Sequence, residues 1–143
     1  GNEHVDNHTT MDHTSTDGTS SELYRGIMYG TSTGVFNGKV FVRPDAQRTN
    51  AFQQNTNIVA DRGASINAKP ELEIYADDVK CAHGCTVGQF DLDALFYLKS
   101  RGIDEKAAKA LLVEAFLADV ISNVPSTELR EEIMKIYTER HGW

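Results

Sequence analysis

The sequence predicts a protein of two parts, an all-β part up to about residue 90 and a small three-helix part after it. The first part is rich in Asn, Thr, Ser and Gly and sets short β-prone runs between turn signals. Ala, Leu, Ile, Glu and Lys dominate the second part, and no helical period of apolar residues appears before Phe90. We therefore expect the division to fall between residues 1–90 and residues 91–143.

Four apolar runs define the β part of the chain. They read ELYRGIMYG, GVFNGKVFV, NTNIVA and PELEIYA, and they recur every 13 to 18 residues, counted from Ile27, Val40, Ile58 and Ile74. Short strands at this spacing suit a parallel β-solenoid as well as a β-sandwich. The residues alone leave both folds open.

The helical part contains three segments with start and stop signals. Asp91 is expected to cap the first helix, which stops at Gly102. Asp104 caps a long second helix that extends to about Asn123, where the sequence VPS interrupts it. Ser126 opens a third helix. The apolar stripe of this helix comprises Leu129, Ile133, Ile136 and Tyr137.

The second helix is apolar around much of its circumference. Its main stripe comprises Val113, Phe116, Leu117, Val120 and Val124, and the residues that widen it are Ala108, Leu111, Leu112, Ala115 and Ala118. Such a helix is normally buried on more than one side. Packing within its own unit and coverage by a partner protein both remain open, and the shortness of the chain favours the partner.

Charge and cysteine usage exclude several classes of function. The net charge of −7 is spread over both parts, which argues against nucleic acid or an anionic membrane as a partner, because both require a basic patch. No apolar run is long enough to cross a bilayer. Cys81 and Cys85 on one strand would lie too far apart for a disulfide, and free thiols favour a cytoplasmic location.

The segment ADDVKCAHGCTVG carries the residues best suited to metal chemistry. On a strand, Cys81, His83 and Cys85 would share one face, and thiolate and imidazole are ligands of soft and borderline metals. The outer two α-carbons would lie about 13 Å apart, so one ion cannot reach all three unless the strand bulges at Gly84. We expect one or two ligands here, with a second chain supplying the rest. A closed zinc-binding module is an alternative.

Several long motifs resemble the SufB/SufD family of iron–sulfur cluster assembly proteins. They are SSELYRGIMYGTSTGVFNGKVFV, DAQRTNAFQQNTNIV, INAKPELEIYADDVKCAHGCTVGQFDLDALFYLKSRGID and DEKAAKALLVEAFLADVI. The resemblance extends from His4 to about Ile133, and the ADDVKC, HG and ALFYLKSRG blocks favour the SufD branch of the family. It implies a C-terminal fragment of a longer protein: the last rungs of a right-handed parallel β-helix, followed by a small three-helix domain.

The resemblance also implies a scaffold rather than an enzyme. Residues 1–90 would pair with a SufB-type subunit, and residues 91–143 would dock a SufC-type ATPase. No cofactor would be bound tightly, and iron or a nascent cluster would be held transiently at the partner interface. The side chains expected to contact the ATPase are Leu95, Phe96, Leu112, Phe116, Leu117 and Val120. A homodimer of the fragment through its β part is a further expectation.

The same resemblance assigns roles within the metal-binding segment. It implies that His83 takes part in cluster building with the SufB-type partner and that Cys81 stands where the family has cysteine. It gives no role to Cys85, which we expect to be a small buried hydrophobic residue.

Two other polar groups suggest alternatives. His4, His8 and His13 are expected to lie in solvated polar turns, because the family's neighbouring histidine–cysteine pair is missing here. The carboxylates at Asp77–Asp78 and Glu71–Glu73 suggest a carbohydrate-processing β-helix enzyme, although adjacent aspartates on a strand face opposite ways. No phosphate-binding loop, nucleophile elbow or dinucleotide motif is present.

Overall fold

The computed structural model describes residues 1–141, the side chains of residues 140 and 141 excepted. The chain divides into two compact units, Gly1–Gln89 and a second that begins at Phe90. The first unit holds all the described strands and the second all the described helices.

The first unit is a parallel β-solenoid. Its strands are β1 (His4–His13), β2 (Thr19–Met28), β3 (Thr33–Val42), β4 (Asn50–Val59), β5 (Ser65–Ile74) and β6 (Lys80–Gly88). Odd-numbered strands form one parallel sheet in the order β1-β3-β5, and even-numbered strands form the other in the order β2-β4-β6. Because successive strands alternate between the sheets, each rung consists of two strands. The predicted solenoid is confirmed.

The structural repeat is one full rung. Thr19 pairs with Asn50, and Asn50 pairs in turn with Lys80, so equivalent positions lie 31 and then 30 residues apart. The apolar runs that recur at half this distance are successive strands in opposite sheets. The apolar runs that form one irregular series in the sequence are therefore divided between two sheets.

The two inner faces of the solenoid differ in polarity. On β3 every second residue is buried, and the apolar cluster includes Val40 and Val42, both fully inaccessible to solvent. On β4 the buried positions after Ala51 are polar: Gln53, Asn55 and Asn57 are 0–3% exposed. Buried amides require hydrogen-bond partners inside the fold. The polar inner face is therefore a candidate for a functional role as well as for packing.

A series of polar contacts connects consecutive rungs at one corner of the solenoid. Asp17 and Arg48 both have positive φ, of 61° and 60°, at equivalent positions of consecutive rungs. The Arg48 guanidinium donates two hydrogen bonds of 2.6 Å to the Asp17 carboxylate. The Arg48 backbone N–H donates to the carbonyl of Asp78 in the next rung. Side-chain and backbone bonds together thus hold three turns in alignment.

The second unit contains three helices, as predicted: α1 (Leu92–Ser100), α2 (Glu105–Ile121) and α3 (Thr127–His141). The Asp91 carboxylate accepts hydrogen bonds from the backbone of Asp93 and Ala94, and Asp104 caps α2 in the same way. Gly102 adopts a φ of 87° after α1, where glycine avoids the strain of a side chain. Among the described helices, none combines the length and hydropathy that a bilayer span requires.

Candidate functional site

The candidate ligands lie on β6, an edge strand of its sheet. Cys81, His83 and Cys85 pair in register with Ala51, Gln53 and Asn55 of β4, all of which are buried. Because side chains in register on parallel strands project to the same side, all three candidates occupy the inner face. The predicted shared face is confirmed.

The three side chains differ in their surroundings. Cys81 is half-buried and packs against the apolar cluster, whereas His83 and Cys85 are exposed. The expectation of a buried Cys85 is therefore wrong, because β6 has no further strand over it within the described residues. The Cys85 Sγ lies 3.8 Å from Asn55 Oδ1, and partial desolvation raises the pKa of its thiol above the ordinary 9.0. This thiol is therefore protonated near neutral pH.

The strand does not bulge at Gly84. The pairing of β4 with β6 continues without interruption through Gln54–Gly84, so alternate α-carbons keep the spacing of about 6.6 Å. Among the described residues, no group of three or more His, Cys, Asp or Glu side chains is close enough to hold one metal ion. Cys81 and His83 are therefore at most part of a ligand set.

A column of three polar residues, here called the polar column, crosses the sheet and ends at the candidate ligand His83; sequence reasoning missed it. Glu22 on β2, Gln53 on β4 and His83 on β6 occupy one register line across the sheet. Gln53 Nε2 donates a hydrogen bond of 2.9 Å to Glu22 Oε2. The signal was an offset of about 30 residues between polar residues, which becomes readable only when the rung length is known. The column extends from the solenoid interior to His83.

The histidines at the start of the chain form no common site. His4, His8 and His13 lie on β1 rather than in the polar turns predicted for them, because the strand pairs along its whole length with β3. His8 lies 2.9 Å from the Asp6 carboxylate on the exposed side. His13 is 7% exposed, and its Nε2 lies 2.9 Å from Ser20 Oγ. These contacts give His13 a structural role at the corner after β1.

The carboxylates considered for a glycosidase are engaged elsewhere. Glu71 lies 3.3 Å from Lys69 Nζ, and Glu73 forms an ion pair with Lys39. Asp77 and Asp78 are exposed on the turn before β6 rather than on a strand. These ion pairs give Glu71 and Glu73 a structural role on β5.

Most of the residues predicted to contact an ATPase are half-buried. Phe96 is 74% exposed, whereas the other five are partly covered: Leu95, Leu112, Phe116, Leu117 and Val120. Two other residues of α1 also expose large apolar side chains, Leu92 at 69% and Tyr97 at 56%. The more accessible apolar surface thus lies on α1 rather than on α2.

The helical unit also contains a groove between α2 and α3 that the sequence did not reveal. It has a volume of about 530 Å³, and its lining includes Leu111, Ala115, Ala118, Ile121 and Met134. None of the six predicted contact residues lines it. Two sides of α2 are therefore apolar: one carries the predicted contact residues, and the other lines this groove.

Comparison with known proteins places the whole arrangement in context. Residues 1–116 match the model of the SufBD core domain of the SUF system for FeS cluster assembly. An iron-sulfur cluster assembly SufBD family protein of Synechocystis sp. is 41% identical over 130 residues, covering 91% of this chain and 29% of the relative. The SufD proteins of Escherichia coli and Bacillus subtilis are 36% and 32% identical, covering 93% and 83% of this chain and 31% and 28% of those proteins.

The chain thus spans less than a third of the length of these curated relatives. The match nevertheless includes every strand of the solenoid, the ligand-bearing strand β6 and the first helix. On the strength of that match and of the parallel solenoid that it covers, the chain belongs to the SufBD family of SUF-system iron–sulfur cluster assembly proteins.

Proposed function

We propose that this chain is the C-terminal part of a SufD-like scaffold subunit in a SufBCD-type complex, on which an iron–sulfur cluster is assembled in the cytoplasm. The observation that carries the proposal is an incomplete ligand set on an edge strand. Cys81 and His83 share the inner face of β6 with Cys85, but no three metal-ligating side chains among the described residues lie close enough to hold one ion. A partner subunit that supplied the remaining ligands would complete the site only within the complex.

An incomplete site suits a protein that releases its product. A closed four-ligand site of thiolates and imidazoles holds its metal tightly and contributes to folding. A scaffold must instead let a cluster form and leave, which shared ligands at a subunit interface permit. In this arrangement His83 provides an imidazole nitrogen and Cys81 a thiolate. The cluster is the cargo of the protein and not a resident cofactor.

The solenoid unit is proposed to pair with a SufB-like subunit. The terminal strands β5 and β6 have no strand on their outer side within the described residues, so their backbone groups are open to a partner. A contact there would bring the partner close to His83, which is exposed on β6. Pairing and completion of the ligand set would then be one event.

The helical unit is proposed to dock a SufC-like ATPase. Support comes from its exposed apolar side chains, above all Phe96 and Leu92 on α1. Exposed aromatic residues of this size are typical anchors of protein interfaces. The half-buried residues of α2, Leu112 and Phe116 among them, would support the anchors from beneath.

The cluster-assembly role is tested with His83→Ala in the full-length subunit and its complex. The complex should assemble and hydrolyse ATP as before, while the rate of cluster formation, followed by absorbance and by iron and sulfide content, falls at least tenfold. Cys85→Ala is the matched control on the same strand and should change that rate less than twofold. Full cluster formation by His83→Ala, or loss of the folded solenoid, would show that His83 has no such role.

ATPase docking is tested by replacing exposed side chains of the helical unit one at a time. Phe96→Glu should weaken capture of a SufC-like ATPase at least tenfold, because it places a charge in the proposed interface without removing a buried contact. Leu129→Glu, at a residue 51% exposed on α3, is the control and should bind normally. Equal binding by both variants would place the ATPase contact elsewhere.

A further inference from the structure

Gln53 is a buried amide with only one of its two ends satisfied. The residue is 0% exposed, and its Nε2 donates to Glu22 Oε2 at 2.9 Å. Its Oε1 finds no donor among the residues that the structure describes. Buried side-chain oxygens are nearly always hydrogen-bonded, so Gln53 Oε1 is a candidate acceptor for a further donor.

The hydrogen bond to Glu22 determines which end of the Gln53 amide is the oxygen. A carboxylate can only accept, so the amide must turn its NH₂ group toward Glu22 on β2. The oxygen is then directed away from β2. β6, which carries His83, lies on the side of β4 opposite β2, so a donor on β6 would meet Oε1 without displacing the bond to Glu22.

His83 occupies the register position next to Gln53 on the adjoining strand. It pairs in register with Gln53, and neighbouring parallel strands lie about 4.8 Å apart, the spacing at which amide side chains form ladders in solenoids and fibrils. The imidazole is exposed, so rotation about its side-chain torsions meets little resistance. A neutral imidazole carries one N–H that can donate to a carbonyl oxygen.

We propose that Gln53 is a positioning residue whose Oε1 accepts a hydrogen bond from the neutral imidazole of His83, so that the other ring nitrogen presents its lone pair to iron. This inference rests on the proposed role of His83. Histidines that bind metal commonly donate their second nitrogen to an acceptor, which fixes both tautomer and ring orientation. Glu22 reinforces the effect, because its negative charge polarises the Gln53 amide and makes Oε1 a stronger acceptor.

The hydrogen bond is tested on this chain by ¹⁵N NMR of the histidine rings at a pH where they are neutral. His83 should populate one tautomer at least fivefold more than it does in the urea-unfolded chain. Gln53→Met, which keeps the side-chain length and removes the acceptor, should return the ratio to the unfolded value. Gln54→Met, on the outer face of the same strand, is the matched control and should leave the ratio unchanged.

A swapped pair separates orientation from packing. In Glu22→Gln combined with Gln53→Glu, the new amide donates to the new carboxylate, and a carboxylate oxygen again faces His83. The tautomer preference lost in Gln53→Met should return in this double variant. A wild-type ratio equal to that of the unfolded chain overturns the inference, whatever the variants do.

Cluster assembly by the full-length complex distinguishes this inference from the function it rests on. Gln53→Met should lower the rate of cluster formation at least threefold, and the swapped pair should restore it. If the tautomer is fixed but His83→Ala assembles clusters normally, the proposed function fails, and the positioning role fails with it. If His83→Ala is defective but Gln53→Met is not, the function stands and the role of Gln53 is overturned.

Discussion

Gly38 on β3 lies directly against the amide of Gln53 across the solenoid interior. A β-carbon placed on Gly38 would come 2.7 Å from Gln53 Nε2 and 2.5 Å from Phe36 Cζ. Neither neighbour can move freely, since Phe36 is 2% exposed and Gln53 is hydrogen-bonded to Glu22. The absence of a side chain at Gly38 is therefore what makes room for the polar column.

Gly38→Ala should destabilise the solenoid unit by about 1–3 kcal/mol, the usual cost of overpacking a well-packed interior. Gly84→Ala is the matched control, because a β-carbon on Gly84 meets nothing within 4 Å. That variant should be neutral or more stable by up to about 1 kcal/mol, since alanine restricts the unfolded chain. Urea denaturation, monitored by the circular dichroism of the β-sheets, measures the stability of both variants. Equal stability of the two variants would show that Gly38 is not tightly enclosed.

The caps of the helical unit give a second prediction. Asp104 Oδ1 accepts hydrogen bonds of 3.0 Å and 3.1 Å from the backbone N–H groups of Lys106 and Ala107. Asp104→Ala removes the acceptor of both hydrogen bonds and should lower the stability of the unit by about 1 kcal/mol. Asp104→Asn keeps the acceptor and should lose much less. A similar loss in both variants would indicate that charge, not capping, is what Asp104 contributes.

The helical unit was the more predictable part of the fold, for a local reason. Its signals, Asp91, Gly102, Asp104 and Ser126, act within one or two turns of the chain, so their meaning does not depend on distant residues. The solenoid depends on pairing between residues about 30 positions apart, such as Thr19 with Asn50. Because each rung distributes its apolar residues over two sheets, two apolar runs occur in the sequence for every structural repeat.

The candidate site was predictable as far as strand alternation goes. The shared face of Cys81 and His83 follows from the period of two, and the structure confirms it. The exposure of Cys85 depends on its strand lying at the sheet edge, which no local pattern records. The link from His83 to Gln53 and Glu22 requires the register of three strands, so it became visible only in the folded chain.

The acid sensitivity of the helical unit gives a third prediction. Hydrogen bonds from Lys99 and then Lys109, at 2.7 Å and 2.9 Å, lower the pKa of Glu105 from 4.5 to about 2. A carboxyl with a depressed folded pKa contributes stability above its unfolded pKa and loses it on protonation. The melting temperature of the helical unit, followed by the circular dichroism of its helices, should therefore fall as the pH drops from 4.5 toward 2.

Glu105→Gln tests the origin of that slope. The variant should melt at a lower temperature than the wild type at pH 7 and should show a flatter decline between pH 4.5 and 2. High salt should narrow the difference, since all three side chains are at least partly exposed. Glu114→Gln changes another exposed carboxylate of α2 and serves as the control. An unchanged slope in Glu105→Gln would assign the acid sensitivity to other groups.

The open end of the solenoid gives the last prediction, that this chain associates with itself through β5 and β6. Both are edge strands within the described residues, and they expose apolar side chains, Val87 at 50% and Ile74 at 39%. Unpaired strand edges with apolar flanks favour pairing with another chain, and inward-facing charges suppress it. The average mass from light scattering should therefore rise with concentration in the micromolar range. Val87→Lys should weaken the association at least tenfold, whereas Phe52→Lys, on the outer face of the central strand β4, should not. A monomer at every concentration, or equal weakening by both variants, would exclude association through this end.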